Sequence, residues 1–219
     1  MANITVSTDV DVLLQSANNA AARDSLGVIE YPFTTDFISG VQQTRNLTTI
    51  TDSSGFSQNA NLTSVYIGSN VTSLGTNSFF NSTNLTSVTL GNNLTSLGQY
   101  CLRNTGITSI TIPDSVTSIG YGAFDGTSLT SVTFGVNSGI TAISGNAFYS
   151  TDLTSFTIPA SVTSIAYYAF AFSNSLSRLE CLALTPPTVN AGALSQIHVP
   201  AAATGYGSTY AGLTVVADL

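Results

Sequence analysis

The chain has 219 residues, 43% of them apolar but only 7% charged, against about a quarter in an ordinary soluble domain. It carries a net charge of −7, with four arginines and no lysine. So few cations cannot displace counterions from phosphates, which argues against nucleic acid and against an anionic membrane surface. So large an apolar share argues equally against disorder.

Residues 1–27 open the chain. MANITVSTDVDVLL has neither a basic n-region nor an apolar core of signal-peptide length, and this predicts folding in a cytoplasm. No run approaches the roughly 20 apolar residues of a membrane span, so no membrane insertion is expected. Ser16 can cap a short Ala-rich helix that ends at Gly27, a normal position for a glycine just past a helix. The stretch from 7 to 28 holds a Leu13-Leu14 pair, then Ala20-Ala21-Ala22-Arg23, then Leu26-Gly27. It resembles a recurring segment of bacteriophage tail-fibre and virion-attached proteins. That resemblance implies an attachment role for 1–27, with Val12, Leu13, Leu14, Arg23 and Leu26 as the candidate docking residues and virion proteins as partners of residues 1–46. It also implies a homo-oligomer, since phage appendages are often trimers.

Residues 28–61 read as an N-terminal cap followed by a short first coil. Phe33, Phe37 and Ile38 suggest a buried segment laid over the first coil, where it would protect an open strand edge. Leu47-Thr48-Thr49-Ile50 begins the shortened coil.

From 62 to 183 the chain repeats itself. The first apolar residue of each unit is Leu62, Leu85, Ile107, Leu129, Leu153 and Leu176, giving spacings of 23, 22, 22, 24 and 23 residues. Each unit opens apolar-x-x-apolar-x-apolar, as in Ile107, Ile110 and Ile112. A second apolar pair follows, such as Val116 and Ile119, and then a small residue beside a bulky one, such as Ala123-Phe124. Alternation with β-branched residues predicts a strand, which Pro113 and Pro159 end. The closing Phe is expected on a short 3₁₀ or helical turn. A unit this short cannot bury its inward side chains alone, so stacking is required, as in a solenoid.

The L-x-x-I-x-I-P, V-x-x-I-G and A-F elements at this period resemble the BspA-like (Treponema pallidum-type) leucine-rich repeat. The resemblance implies a β-rich solenoid of about six coils of 22–24 residues, with a short N-terminal helical segment and a C-terminal cap. Residues 184–219 extend it through Thr185-Pro186-Pro187-Thr188, Ile197-His198-Val199-Pro200 and Tyr206.

Nothing in the sequence assembles a catalytic site. His198, the single histidine, stands in the presumed terminal strand without Cys or Asp arranged about it. No calcium loop, phosphate loop or nucleophile elbow appears, and no cofactor or metal is expected. Cys101 and Cys181 stand three coils apart, about 14 Å at the spacing of stacked strands, too far for a disulfide. Two sets of residues remain as binding candidates. The outward hydroxyls Thr86, Ser87, Thr89, Thr108, Ser109, Thr111, Thr130, Ser131, Thr133, Thr154, Ser155 and Thr157 form columns on one face if the coils are in register. The closing turns vary from coil to coil and present Phe80, Tyr100, Tyr121, Tyr149, Tyr167, Tyr168 and Phe172, rings suited to glycan stacking or protein contact. The two resemblances together imply a virion fibre or spike binding a host-cell surface glycan or protein. A capsid decoration or head fibre, and a bacterial surface adhesin, are the alternatives.

Overall fold

The computed structural model describes residues 35–38, 41–44, 49–50, 56–185, 187–189, 196–200, 209–210 and 213–218. The expected Ser16–Gly27 helix lies outside the described residues. The chain begins with β1 (Thr35–Ile38), β2 (Val41–Thr44) and β3 (Thr49–Ile50). Five coils follow, each with a leading strand and a two-residue second strand. They are β4 (Ser64–Ile67) and β5 (Ser73–Leu74), β6 (Ser87–Thr89) and β7 (Ser96–Leu97), and β8 (Ser109–Ile112) and β9 (Ser118–Ile119). Then come β10 (Ser131–Phe134) and β11 (Ala142–Ile143), and β12 (Ser155–Ile158) and β13 (Ser164–Ile165). A sixth unit supplies β14 (Arg178–Cys181) and β15 (Thr188–Val189). The chain finishes with β16 (Gln196–Pro200), β17 (Thr209–Tyr210) and β18 (Leu213–Asp218).

Second strands pair in parallel as one seven-stranded sheet from β3 to β15. The leading strands behave differently. They form β1-β2-β4-β6, then β8-β10 alone, then β12-β14-β16-β18-β17. The cause can be read from the residue just after each leading strand. The Gly135 N–H donates to the Ile112 carbonyl of the preceding coil at 2.9 Å, and the Leu182 N–H to that of Ile158 at 3.1 Å. In the coils after the two interruptions this residue is Pro113 or Pro159, which has no N–H to give. Threonine hydroxyls mark the same places. Thr86, Thr130 and Ser177 donate to the Thr63, Thr108 and Thr154 carbonyls one coil back, whereas Thr108 and Thr154 make no such bond.

The first coil corrects the expectation at 47–50. Its leading strand is β2, Val41–Thr44, in register with Ser64–Ile67, and Thr49–Ile50 is its second strand, paired with Ser73–Leu74. Val-Gln-Gln-Thr lacks the apolar signature of the later leading strands, so pattern matching passed over it. β1 pairs antiparallel with β2 at that end of the sheet.

The closing turns correct a second expectation. They are successive tight turns rather than 3₁₀ helix, because two residues per turn have positive φ. One column holds Asn77, Tyr100, Gly122, Asn146 and Tyr168; the other holds Gln58, Asn81, Asn104, Gly126, Ser150 and Phe172. Donors alternate along each turn. Tyr100, Leu102 and Asn104 N–H groups reach forward to the Tyr121, Ala123 and Asp125 carbonyls of the next coil, while Cys101 and Arg103 donate within their own turn to Gly98 and Tyr100.

Inside, apolar side chains make one core. The closing phenylalanines stack as a spine. Phe124, Phe148 and Phe170 are parallel at 5.2 and 5.5 Å, and Phe56 lies on Phe79 at 5.6 Å, with Leu102 standing between the two groups. Hydroxyls complete the interior. Buried Thr105, Thr127 and Thr151 each donate to the carbonyl three residues back. Cys101 and Cys181 are buried and form no disulfide.

Two outcomes follow from this packing. Burial pushes the Cys101 thiol up to about 12, so iodoacetamide at pH 8.5 is expected to leave Cys101 unmodified in the folded protein and to alkylate it in guanidinium. Gly122 has φ +58, and a Cβ there would strike the Tyr100 ring. Gly122→Ala should therefore lose more than the ~1–2 kcal/mol of a left-handed Cβ alone. Adding Tyr100→Ala should relieve the clash and leave the conformational cost, as read by urea unfolding.

Candidate ligand-binding surfaces

Each expected aromatic has a distinct place. Tyr100 and Tyr121 fill gaps left by glycines one coil on, Tyr100 over Gly122 and Tyr121 over Gly145, and their rings meet edge-on at 5.5 Å. Phe80 is half-buried, with the Arg103 guanidinium 5.7 Å from its ring centre and 5.0 Å from that of Tyr100. Tyr149 is half-buried and tilts against Phe172 at 5.0 Å. Tyr167, Tyr168 and Phe172 are different, with 56%, 56% and 64% of their surface exposed.

All three belong to the fifth closing turn, the last one among the described residues. The N–H groups of Tyr168, Phe170 and Phe172 occupy the forward-donating positions, and among the described residues no carbonyl accepts them. Tyr168 and Phe172 also have φ of +58 and +59. A bulky residue rarely adopts this conformation, which costs roughly 1–3 kcal/mol and is retained where something else requires it. Asn, which tolerates it, fills the same columns at 77, 81, 104 and 146.

The outward hydroxyls are exposed, apart from Thr157, which is half-buried and donates to Glu180 Oε2 at 3.4 Å. Register holds within each pair, Ser64 opposite Ser87 and Ser109 opposite Ser131. The columns do not run uninterrupted, because the ladder stops before β8 and before β12. A groove lies at each interruption. The first, about 380 Å³, is bordered by Ser87, Thr89, Ser109 and Thr111. The second, about 510 Å³, includes Val132, Phe134, Val136, Pro159 and Leu182. Val132 and Phe134 are inward positions left half-exposed, whereas Ile110, Ile112, Phe156 and Ile158 at the same phases are buried. The rim beside them is the loop from Gly135 to Gly139, two residues longer than its counterpart at 113–115. Asp114 of the preceding coil holds it through Asn137 N–H (2.9 Å) and Nδ2 (3.3 Å), leaving Val136 96% exposed.

The sequence reading missed both grooves, although two signals marked them. One is the 24-residue spacing of the fourth coil. The other is the alternation of Gly91, Pro113, Gly135 and Pro159 at one phase. It also missed the pairing of Arg103 Nε with Asp125 Oδ2, 2.9 Å apart at the same position of neighbouring coils. Burial raises the Asp125 carboxyl above its ordinary value, and Arg103 opposes that rise. His198 stands opposite Glu180 and Val216 in the strand register. Val12, Leu13, Leu14, Arg23 and Leu26 lie outside the described residues. Among the described residues no three His, Cys, Asp or Glu side chains are grouped to hold a metal, and no helix is long and apolar enough to cross a membrane.

Six copies of the model described as BspA type leucine rich repeat region match residues 42–177. A leucine-rich cell surface protein of Faecalibacterium prausnitzii is similar at 22% identity and a TM-score of 0.43, over 71% of this chain and 57% of that one. The chain thus spans less than two thirds of that protein. A leucine-rich repeat protein of Bacteroides ovatus is similar at 17% identity and a TM-score of 0.41, over 87% of this chain and 67% of that one. One of Eubacterium ventriosum is similar at 19% and 0.30, over 74% and 66%. No curated protein matches the chain.

Because its raised Asp125 carboxyl holds a proton more tightly folded than unfolded, the protein loses stability at this residue as pH rises from the ordinary aspartate range through the raised value. The stability of Asp125→Asn relative to the parent should therefore increase between pH 3 and pH 7, as read from paired urea titrations.

Proposed function

Since the chain belongs to the BspA-type leucine-rich repeat family, we propose that it is an adhesin, a binding rather than a catalytic protein, whose solenoid engages a glycan or protein on a cell surface. The observation that carries this reading is the fifth closing turn. There Tyr167, Tyr168 and Phe172 are exposed together, two of them in a conformation that costs stability and that Asn would adopt more easily. Aromatic rings with few rotatable bonds bring contact area at low entropic cost. The sparse charge of the surrounding surface favours an uncharged partner.

The finer reading is a bacteriophage tail fibre or spike, docked to the particle through residues 1–46 and trimeric. The resemblance of 7–28 to virion-attached segments supports it. A head fibre or capsid decoration is the same protein on another part of the particle. A bacterial surface adhesin is the second reading, and the repeat family favours it.

Two measurements separate these. Tyr168→Asn and Phe172→Asn should keep or raise the thermal midpoint while weakening attachment of the labelled full chain to intact bacterial cells by at least about tenfold. Unchanged attachment in both variants rejects the aromatic site. Immunogold against the solenoid on particles and cells from one culture then assigns the carrier. Gold at tail tips supports the fibre, gold over heads the decoration, and gold on the bacterial surface the cellular adhesin.

A further inference from the structure

The groove between β10 and β12 lies in the leading-strand sheet, not among the closing-turn aromatics, and its chemistry differs from theirs. At its base Phe134 packs at right angles to Phe156, with ring centres 5.6 Å apart, and remains half-exposed. Val132, Val136, Pro159 and Leu182 add apolar walls, and Thr133 and Ser138 add hydroxyls. No lining side chain is charged. The Phe134 carbonyl occupies the phase at which Ile112 and Ile158 receive an N–H from the next coil, and Pro159 stands there with none to give. An acceptor therefore faces the opening between the strands.

We propose that this groove is a binding site for a neutral oligosaccharide. A sugar alternates C–H surface with hydroxyls, which matches a phenyl and aliphatic floor beside main-chain and hydroxyl oxygens. A purely aliphatic ligand leaves the carbonyl and the rim hydroxyls unpaired at a cost. A charged ligand finds no counter-ion among the lining residues. The volume of about 510 Å³ falls within the range of small-ligand clefts and admits a short oligosaccharide. The site deepens the adhesin reading by naming a ligand class, while its occupancy can be measured without any cell.

The test uses the full isotope-labelled chain titrated with maltotriose, cellotriose, chitotriose and lactose. At least one sugar should shift amides at 132–138 and 157–161 and leave the 167–172 turn unmoved. Pro159→Ala restores an N–H opposite the Phe134 carbonyl, so it should close the opening, keep or raise the thermal midpoint, and weaken sugar binding at least tenfold. Phe134→Ile places at this phase the residue that serves there at 112 and 158, so the fold is retained, and it should weaken binding likewise. Pro113→Ala, at the other groove, should bind as the parent does. No shift with any of the four sugars, or parental binding by both Pro159→Ala and Phe134→Ile, overturns the site. Sugar binding lost in Pro159→Ala while cell attachment persists keeps the site and detaches it from adhesion. Attachment lost in Tyr168→Asn with sugar binding intact supports both as separate surfaces.

Discussion

Everything in this molecule depends on the rung between coils, a main-chain N–H of one coil meeting a carbonyl of its neighbour at the same phase. A coil of about 23 residues has too little interior to fold alone, and its neighbour supplies both the rest of the core and the hydrogen-bond partners. Identical phase then demands near-identical sequence. The same condition disfavours charge, because one charge repeated at one phase puts like charges about a strand spacing apart. At one position where charge does enter neighbouring coils, the signs are opposite, Arg103 against Asp125. Threonine answers the remaining demand. At Thr95, Thr117 and Thr163 the hydroxyl donates to the matching threonine's or its counterpart's carbonyl one coil back, so these residues stay wet and still tie coils together.

The rungs of the closing turns point one way, each coil donating forward, and this gives the stack chemically unlike ends. Tyr100 and Tyr121 sit against Gly122 and Gly145 of the coils that follow them. In the fifth turn the Tyr168, Phe170 and Phe172 N–H groups hold the same forward-donating positions, with no acceptor among the described residues. The pattern of a small residue followed by a bulky apolar one, phenylalanine everywhere but at Leu102, is kept through the fifth coil, while Tyr167, Tyr168 and Phe172 around it are exposed.

Much of the fold was legible because the period is written in the apolar residues themselves. Leu85, Val88 and Leu90 are enough to predict a strand with one face inward, and all three are buried. Legibility failed where main-chain bonding, not hydrophobicity, decides the outcome. Val41–Thr44 is a strand because β4 offers it a register, although two glutamines hide it. The closing turns looked helical because small and bulky residues at short spacing resemble a helical face, yet positive φ is set at residues as unlike as Asn77 and Tyr100. Side-chain exposure also misled by type. Tyr100 and Tyr121 resemble Tyr167 in the sequence, yet the first two lie against Gly122 and Gly145 one coil on, while Tyr167 is 56% exposed.

Proline connects these themes. At the end of a leading strand it terminates the strand cleanly, which suits the repeat, and it also withdraws a donor that the neighbouring coil needs. The preceding coil decides how much that matters. After β8 and β12 the chain resumes pairing, because the next coil brings Gly135 or Leu182 with an N–H. Before them the leading-strand ladder opens, while the second strands run on unbroken beneath as a seven-stranded sheet. The stack can therefore give up local rungs on one side without losing its coil-to-coil attachment. An array selected for uniformity gains distinct surfaces in this way. The first opening leaves Val88 and Leu90 buried and is bordered by hydroxyls, whereas the second leaves Val132 and Phe134 half-exposed, so one repeated unit yields two grooves of different chemistry.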